Sequence, residues 1–181
     1  MEKINNRFYL CLGYVLSISF SFIPSFRIVN LILKIFKNDI GKGTTFHNGV
    51  RFLIPFNIKI GNNTTINSNS LIDSRKGIEI GSNTMIGNNV KIYTLTHDIE
   101  DDNFKSLGES VTIGSNVVIF PHVLIMPGVK IGDGAVVYPG SVVTRNIESY
   151  SIIAGIPGKE VGKRKLRDFK YKLNYKTYFG I

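Results

Sequence analysis

Large aliphatic residues recur at every sixth position along most of this 181-residue chain. The period starts at Ile54, shifts by two residues between Ile72 and Ile80, stops after Ile92 and resumes at Ile113. Its members are Ile54, Ile60, Ile66, Ile72, Ile80, Ile86, Ile92, Ile113, Ile119, Ile125, Ile131, Val137 and Val143. A strand gives a period of about two residues and a helix about 3.6, whereas a six-residue period is typical of a parallel β-helix with about eighteen residues per turn.

Polar or glycine-containing pairs follow many of these aliphatic positions and are expected at the corners between strands. They are Asn62-Asn63, Ser82-Asn83, Asn88-Asn89, Ser115-Asn116 and Asp133-Gly134. Asparagine, aspartate and glycine tolerate positive φ better than other residues. The pattern predicts an all-β fold in which residues 39–146 form one parallel β-helix. Its predicted inward side chains include Ile60, Ile86, Ile119, Ile131 and Val137. A β-sandwich would need strand signals spaced by about 8–12 residues.

The chain divides into three segments. Residues 1–38 are expected to form an apolar helical lead-in, residues 39–158 the β-helix domain, and residues 159–181 a basic C-terminal tail or short helix. Within the domain, the polar and acidic residues 94–110 break the period. We expect this loop to project from the scaffold, which is where function concentrates.

The N-terminal segment leaves three interpretations open. Residues 8–26 carry no charge and are flanked by Arg7 and Arg27. This length could cross a bilayer, but serines and a proline dilute it. Helices that cap the β-helix, helices that lie in a membrane interface and a true span therefore remain alternatives. Peripheral membrane contact would involve residues 8–36.

The net charge of +9 is concentrated in the C-terminal tail. Such a tail suits a phosphorylated ligand or an anionic membrane surface, and a solvated helical cap is the alternative. Nucleic acid is disfavoured as a partner because no recognised binding motif accompanies the charge. Cys11 is the only cysteine, which excludes an internal disulfide and suits a reducing compartment. We expect a cytoplasmic protein, either free or at the inner face of the membrane.

Four short motifs follow one another in a fixed order. They are TLTH at residues 94–97, PGVKIG at 127–132, GSVVTR at 140–145 and AGIPGK at 154–159. Together with the repeats, they resemble the hexapeptide-repeat acyltransferases, in particular the sugar O-acetyltransferases that act on galactosides, maltose, capsule or O-antigen. The resemblance covers about residues 39–163. It implies a left-handed parallel β-helix, acetyl-CoA as donor and a homotrimer with active sites between subunits. We expect no metal cofactor, because the histidines are far apart in sequence.

The resemblance places His97 at the position of the catalytic histidine. An imidazole has a pKa near neutrality and suits a general base that takes a proton from a sugar hydroxyl. The hydroxyl oxygen would then attack the thioester carbonyl directly, with backbone N–H groups stabilising the oxyanion. Cys11 lies in the apolar lead-in and is a poor nucleophile candidate.

Other site residues are also implied by the resemblance. Asn67 and Asp73 match positions that hold sugar hydroxyls or orient the base, although either could instead stabilise its own corner. The positions that match the donor site are Gly140, Ser141, Thr144, Arg145, Lys163 and Arg164. Pro139 departs from the family pattern and removes one backbone donor there.

Of the two other histidines, one is expected at a surface corner and the other in a structural or solvated position. His122 takes the glycine position of a corner, and His47 lies in the irregular first coil. A zinc site of the γ-carbonic-anhydrase kind would need three converging histidines. The three histidines here are far apart in sequence, which argues against it.

The leading functional prediction is an acetyl-CoA-dependent O-acetyltransferase acting on a sugar of a surface polysaccharide or its precursor. One alternative is an N-acyltransferase on an amino-sugar nucleotide, which would share donor and fold. The other is a non-catalytic β-helix scaffold.

Overall fold

The computed structural model describes residues 15, 23 and 25–173. Among these, one helix is followed by short strands. They are α1 (Phe26–Ile35), β1 (Asp39–Ile40), β2 (Thr45–Phe46), β3 (Arg51–Phe52), β4 (Ile58–Ile60), β5 (Thr65–Ile66), β6 (Leu71–Ile72), β7 (Ile78–Ile80), β8 (Met85–Ile86), β9 (Lys91–Ile92), β10 (Leu95–His97), β11 (Ser106–Gly108), β12 (Val111–Ile113), β13 (Val118–Ile119), β14 (Leu124–Ile125), β15 (Lys130–Ile131), β16 (Val136–Val137), β17 (Val142–Val143), β18 (Ser151–Ala154) and β19 (Lys159–Lys163). Most of the uncharged stretch, including Cys11, lies outside the described residues, as do residues 174–181.

Apart from β10, β11 and β19, the strands form three parallel sheets that wind as a solenoid of about six turns. The first sheet has the order β1-β4-β7-β12-β15, the second contains β2-β5-β8-β13-β16-β18-β19, and the third contains β3-β6-β9-β14-β17. Each strand pairs with its equivalent one turn further along, so that Ile60 faces Ile80 and Ile80 faces Ile113. The parallel β-helix predicted from the six-residue period is confirmed.

The repeated aliphatic side chains fill the interior. From Ile60 to Val143, all of them are at most 3% exposed. They stack in columns along the solenoid, as where Ile119 lies between Ile86 and Val137. Burying one such side chain contributes about 1.5–3 kcal/mol. The predicted inward positions are therefore confirmed.

The first coil differs from the prediction. Phe52 pairs with Ile72 and is fully buried, so it holds the inward position that the period assigns to Ile54. Ile54 is only half-buried, and its carbonyl accepts a hydrogen bond from the hydroxyl of Ser74. An extra two residues separate Phe52 from Ile60, as they separate Ile72 from Ile80. Starting the period at Ile54 is wrong because an aromatic ring replaces the aliphatic side chain.

The corners have the predicted backbone. The second residue of each corner pair has φ between 53° and 67°, namely Asn63, Asn83, Asn89, Asn116 and Gly134. The glycines that directly follow inward positions serve a different purpose, because the adjacent coil approaches them closely. A Cβ on Gly81 would lie 2.5 Å from the backbone nitrogen of Ser115.

Helix α1 covers the first turn of the solenoid. Val29 and Leu33 are buried against the core. The Asn30 amide donates to the Thr44 carbonyl at 2.8 Å. Asn38 joins the helix to the first coil by donating to the Leu33 and Pro55 carbonyls at 2.8 Å each. In the described part of the chain, no helix is long and apolar enough to cross a membrane.

The other end is closed by the tail. Strand β18 continues the second sheet in parallel, and β19 adds to it in the antiparallel direction. The parallel sheet thus extends past residue 146. Residues 164–173 then run back over the corners, where the Leu173 N–H donates to Asn83 Oδ1 at 2.9 Å. The helical option for the tail is wrong over residues 159–173, since these residues form a strand and an irregular segment.

Candidate active site

The interruption of the repeat forms a hairpin outside the three sheets. Strands β10 and β11 pair in the antiparallel direction, with His97 opposite Ser106. The hairpin leaves the third sheet after β9 and returns to the first sheet at β12. It therefore projects from one corner of the solenoid and carries His97 with it.

A buried carboxylate anchors the root of this hairpin. Asp73 is fully buried and accepts a hydrogen bond from the Thr94 N–H at 3.1 Å. It also forms a bidentate pair with Arg75, in which Nε and Nη2 each lie 2.9 Å from a carboxylate oxygen. Thr94 Oγ1 in turn accepts from the Lys76 N–H at 3.1 Å. These bonds fix the chain three residues before His97.

Opposing effects set the ionisation of Asp73. Burial disfavours the charged form, but the hydrogen bonds from Arg75, with that from the Thr94 N–H, outweigh it and lower the pKa of Asp73. Asp73 is therefore ionised near neutral pH. Its geometry supports the turn-stabilising alternative of the sequence interpretation.

The His97 imidazole is exposed to solvent. It stacks on Phe104, with ring centroids 4.5 Å apart and planes 10° from parallel. Within the described residues its ring nitrogens make no hydrogen bond to another group. Stacking fixes the plane of the ring while the nitrogens stay accessible to a substrate.

Asn67 lies at a different corner, between the second and third sheets. Its side-chain amide donates to the Ile86 carbonyl at 2.9 Å, and its backbone N–H donates to the same carbonyl. Within one chain, the structure joins Asp73 to the root of the His97 hairpin but does not bring Asn67 to it.

A cavity of about 570 Å³ lies beside the root of the hairpin. It runs along the outer face of the first sheet. Its lining includes Phe36, Lys37, Phe56, Lys59, Lys76 and Ser110. No sequence motif marks these residues, because only the fold brings the end of the lead-in helix, two coils and the hairpin root together.

The predicted donor residues gather at the C-terminal end of the solenoid. Gly140 is exposed with φ of +71°, and nothing lies within 4 Å of the position of a Cβ. Ser141 is buried, donating to the Tyr138 carbonyl and accepting from the Gly155 N–H. Thr144 and Arg145 are exposed. The open backbone edge at Gly140 leaves room for an extended ligand, whereas the Ser141 hydroxyl is engaged within the chain.

Arg145 borders a second cavity of about 370 Å³. Lys159 lines the same cavity, together with Asn146, Glu148, Ser151 and Glu160. Lys159 is the last residue of the AGIPGK motif, so the motif itself could have identified it as a donor-site residue, although it is not among the predicted ones. Two exposed cations thus flank one cleft.

The structure commits Lys163 to contacts within the chain. Its ammonium lies 3.0 Å from Glu160 and 3.2 Å from Glu148, and it donates to Ser151 Oγ at 2.9 Å. The hydrogen bond to Glu160 raises the pKa of Lys163. This arrangement holds β19 against β18 and leaves less of the ammonium for a phosphate.

Arg164 is engaged as well. Its Nη1 donates to the Asn116 and Gly134 carbonyls at 2.8 and 3.2 Å. Its guanidinium also stacks on Phe169, 4.6 Å from the ring centroid. Arg164 therefore fastens the tail to the corners of two coils.

The two remaining histidines lie at a corner and in the first coil. His122 has φ of +62°, which agrees with the corner position expected for it. His47 is half-buried, its Nε2 has no hydrogen-bond partner among the described residues, and burial lowers its pKa. Among the described residues, no three histidine, cysteine or acidic side chains lie together as a metal-binding group.

The repeats match two family models. Residues 110–145 match the bacterial transferase hexapeptide (six repeats), and residues 57–94 match the hexapeptide repeat of succinyl-transferase. Together with the structural neighbours described next, these matches show that the chain has the repeats and the fold of hexapeptide-repeat acyltransferases. No curated sequence matches the chain.

Solved structures of acetyltransferases are similar over nearly the whole chain. A galactoside acetyltransferase in complex with coenzyme A is 29% identical, covers 95% of this chain and 92% of its own, and has a TM-score of 0.80. A maltose O-acetyltransferase from Clostridium difficile is 28% identical, with coverages of 87% and 89% and a TM-score of 0.72. A hexapeptide-repeat acetyltransferase from Vibrio cholerae, complexed with acetyl coenzyme A, shares the fold at 22% identity, with coverages of 90% and 91% and a TM-score of 0.78.

Proposed function

We propose that the protein is an acetyl-CoA-dependent O-acetyltransferase whose acceptor is a sugar hydroxyl of a surface polysaccharide or its precursor. The observation that carries the proposal is the exposed His97 on a hairpin anchored at the solenoid corner. The similarity to galactoside and maltose acetyltransferases, at 29% and 28% identity, supports the sugar acceptor.

His97 acts as the general base. Its imidazole takes the proton of the acceptor hydroxyl while the hydroxyl oxygen attacks the thioester carbonyl, and CoA leaves as the thiolate. The proton on the imidazole can then pass to that thiolate, so the base is restored. The stack on Phe104 restricts the ring to one plane, which reduces the entropy lost on reaching the reactive geometry.

The acceptor binds beside the hairpin root. The 570 Å³ cavity bordered by Lys76 and Ser110 is within the size range of small-molecule sites. Its lysines and backbone groups offer hydrogen-bond donors to hydroxyl or acidic groups of a saccharide. Asp73 holds the wall of this site through Thr94 rather than binding the sugar.

The nucleotide end of the donor binds at the cleft shared by Arg145 and Lys159. Phosphates favour fixed cationic donors, and Arg145 is not held by an ion pair in the described part of the chain. The pantetheine arm follows the open edge at Gly140. Lys163 and Arg164 contribute by holding the tail that forms the wall of the cleft.

The active unit is a homotrimer with sites between subunits. A general base usually accepts or donates a hydrogen bond that orients it, yet no group among the described residues of its own chain hydrogen-bonds to the His97 ring. The hairpin also exposes Ile99, Phe104 and Leu107, which are 81%, 58% and 43% accessible. A neighbouring subunit would cover these side chains and supply the missing hydrogen-bond partner of His97.

We place the enzyme in the cytoplasm, where its single cysteine would stay reduced.

A CoA-release screen with acetyl-CoA and a panel of sugars, nucleotide sugars and oligosaccharides tests the proposal. We expect turnover with a hydroxyl acceptor, and a product whose acetyl group is removed by mild alkali, as an ester is. An alkali-stable amide product would establish N-transfer instead. Absence of acetyl-CoA binding would leave a non-catalytic scaffold.

A further inference from the structure

Helix α1 presents aliphatic side chains on both of its faces. Val29 and Leu33 face the core, while Ile28, Leu31 and Ile35 are 49%, 60% and 67% exposed. Residues three, four and seven apart lie on the same side of a helix, so these three form one exposed strip. A helix that only capped the solenoid would need a single apolar face.

Cations border this apolar strip. Arg27 and Lys34 are exposed and lie seven residues apart, which places both along the same edge of Leu31. Lys37 is exposed just after the helix. Within α1 itself there is no acidic residue. Exposed aliphatic side chains flanked by lysine and arginine suit the boundary between anionic headgroups and acyl chains.

The sequence before the helix continues this character. Residues 8–26 hold no charged side chain, and the whole chain carries +9. An uncharged apolar stretch that leads directly into the exposed strip favours a lipid surface, because acyl chains accommodate the apolar side chains while anionic headgroups attract the cationic edge.

We propose that the exposed face of α1, consisting of Ile28, Leu31 and Ile35 with Arg27 and Lys34, docks on an anionic membrane surface. The helix lies in the plane of the interface and does not cross it. Phe36 and Lys37 also border the 570 Å³ cavity, so docking brings that cavity next to the headgroups. This last consequence rests on the proposed function, whereas the docking itself does not.

The test is vesicle sedimentation of the full-length protein with phosphatidylcholine vesicles that contain or lack phosphatidylglycerol. We expect binding to the anionic vesicles. Leu31→Ser with Ile35→Ser should weaken it by about tenfold or more, because partitioning scales with buried apolar area. Arg27→Gln with Lys34→Gln should weaken binding to the anionic vesicles by about tenfold and have no effect on neutral ones.

Val161→Ser is the matched control, because Val161 is 60% exposed but lies in β19 at the other end of the solenoid. It should bind vesicles like the wild type. Equal binding by the Leu31/Ile35 variant and the wild type overturns the proposal, as does failure of the wild type to bind.

Two further measurements distinguish the other groups that could cover the exposed face of α1. If the Leu31/Ile35 variant changes the oligomeric state in size-exclusion chromatography but not vesicle binding, the face contacts a second copy. If instead it only lowers the melting temperature, the face is covered by the protein's own N-terminal segment. Either result replaces the membrane as the partner. Vesicle binding requires no acetyl acceptor. It can therefore be absent in a protein that transfers acetyl groups, and it can be present in a protein that does not.

Discussion

Replacing Asp73 by alanine tests whether the root of the His97 hairpin is a structural anchor. The carboxylate accepts four hydrogen bonds: the Arg75 N–H at 3.1 Å, the Arg75 Nε and Nη2 at 2.9 Å each, and the Thr94 N–H at 3.1 Å. All four are lost in Asp73→Ala. The substitution therefore removes both the ion pair and the link to the hairpin.

The magnitude follows from the burial of each partner. Thr94 is fully buried, so its unpaired N–H costs about 1–3 kcal/mol. The Arg75 side chain is 36% exposed and regains water, so the lost ion pair contributes only about 1 kcal/mol. We expect Asp73→Ala to lower the free energy of unfolding by about 2–4 kcal/mol, measured by urea denaturation at neutral pH.

The activity should fall with the stability. A root that no longer fixes Thr94 lets His97 move, and a misplacement of about 1 Å can cost up to about a hundredfold in rate. We expect kcat to fall by about tenfold to a hundredfold. Arg75→Ala keeps the bond from the Thr94 N–H to Asp73, so it should lower kcat less than Asp73→Ala does. Arg51→Ala, which removes an exposed arginine from β3, should change stability by less than about 0.5 kcal/mol.

The pH dependence provides an independent check. The folded pKa of Asp73 is lowered, so its contribution to stability is complete above the ordinary carboxyl value of about 3.9 and is lost as the pH falls through the folded value. The wild type and Asp73→Ala should therefore differ by a constant amount from neutral pH down to about pH 5 and converge in stronger acid. An Asp73→Ala protein with unchanged stability and only a raised acceptor KM would refute the anchor and make Asp73 a sugar ligand.

Four further substitutions test the register and the donor site. Ile119→Asp should prevent folding because it buries an unpaired charge between Ile86 and Val137. Ile119→Val should lower the free energy of unfolding by only about 0.5–1.5 kcal/mol. An Ile119→Asp protein that is soluble and folded by circular dichroism would contradict the register. Arg145→Ala should raise the KM for acetyl-CoA several-fold with little change in the acceptor KM, and high salt should reproduce part of the loss. Lys163→Ala removes a contact that holds the tail and not a ligand of the donor, so it should raise the acetyl-CoA KM less than Arg145→Ala does. The reverse ranking in steady-state kinetics would restore Lys163 as a donor ligand.

The fold was largely predictable because one constraint repeats. Each inward position must hold an aliphatic or aromatic side chain, and each corner needs a residue that tolerates positive φ. The same two requirements therefore recur in every coil and produce a repeated sequence pattern. The prediction failed at Ile54 because the period was counted over aliphatic residues only. Phe52 satisfies the same packing requirement with a different side chain.

The site was less predictable because it depends on contacts between distant segments. His97 could be found from its motif and from the break in the period. The bond from Thr94 to Asp73 joins residues 21 positions apart, and the contact of Arg164 with Asn116 joins residues 48 apart, which no local pattern encodes. Lys159 was within a recognised motif, but only the folded tail shows that it shares a cleft with Arg145.

The most direct test of the central claim compares His97→Ala with His122→Asn in acetyl transfer to the identified acceptor. His122→Asn is the matched control because it removes an exposed histidine at a corner where Asn69 and Asn89 take the same positive φ in other coils. We predict that His97→Ala binds acetyl-CoA normally but loses turnover by about 10²–10⁴, the range for a general base, while His122→Asn retains it. Near-wild-type turnover by a folded His97→Ala protein would contradict the account.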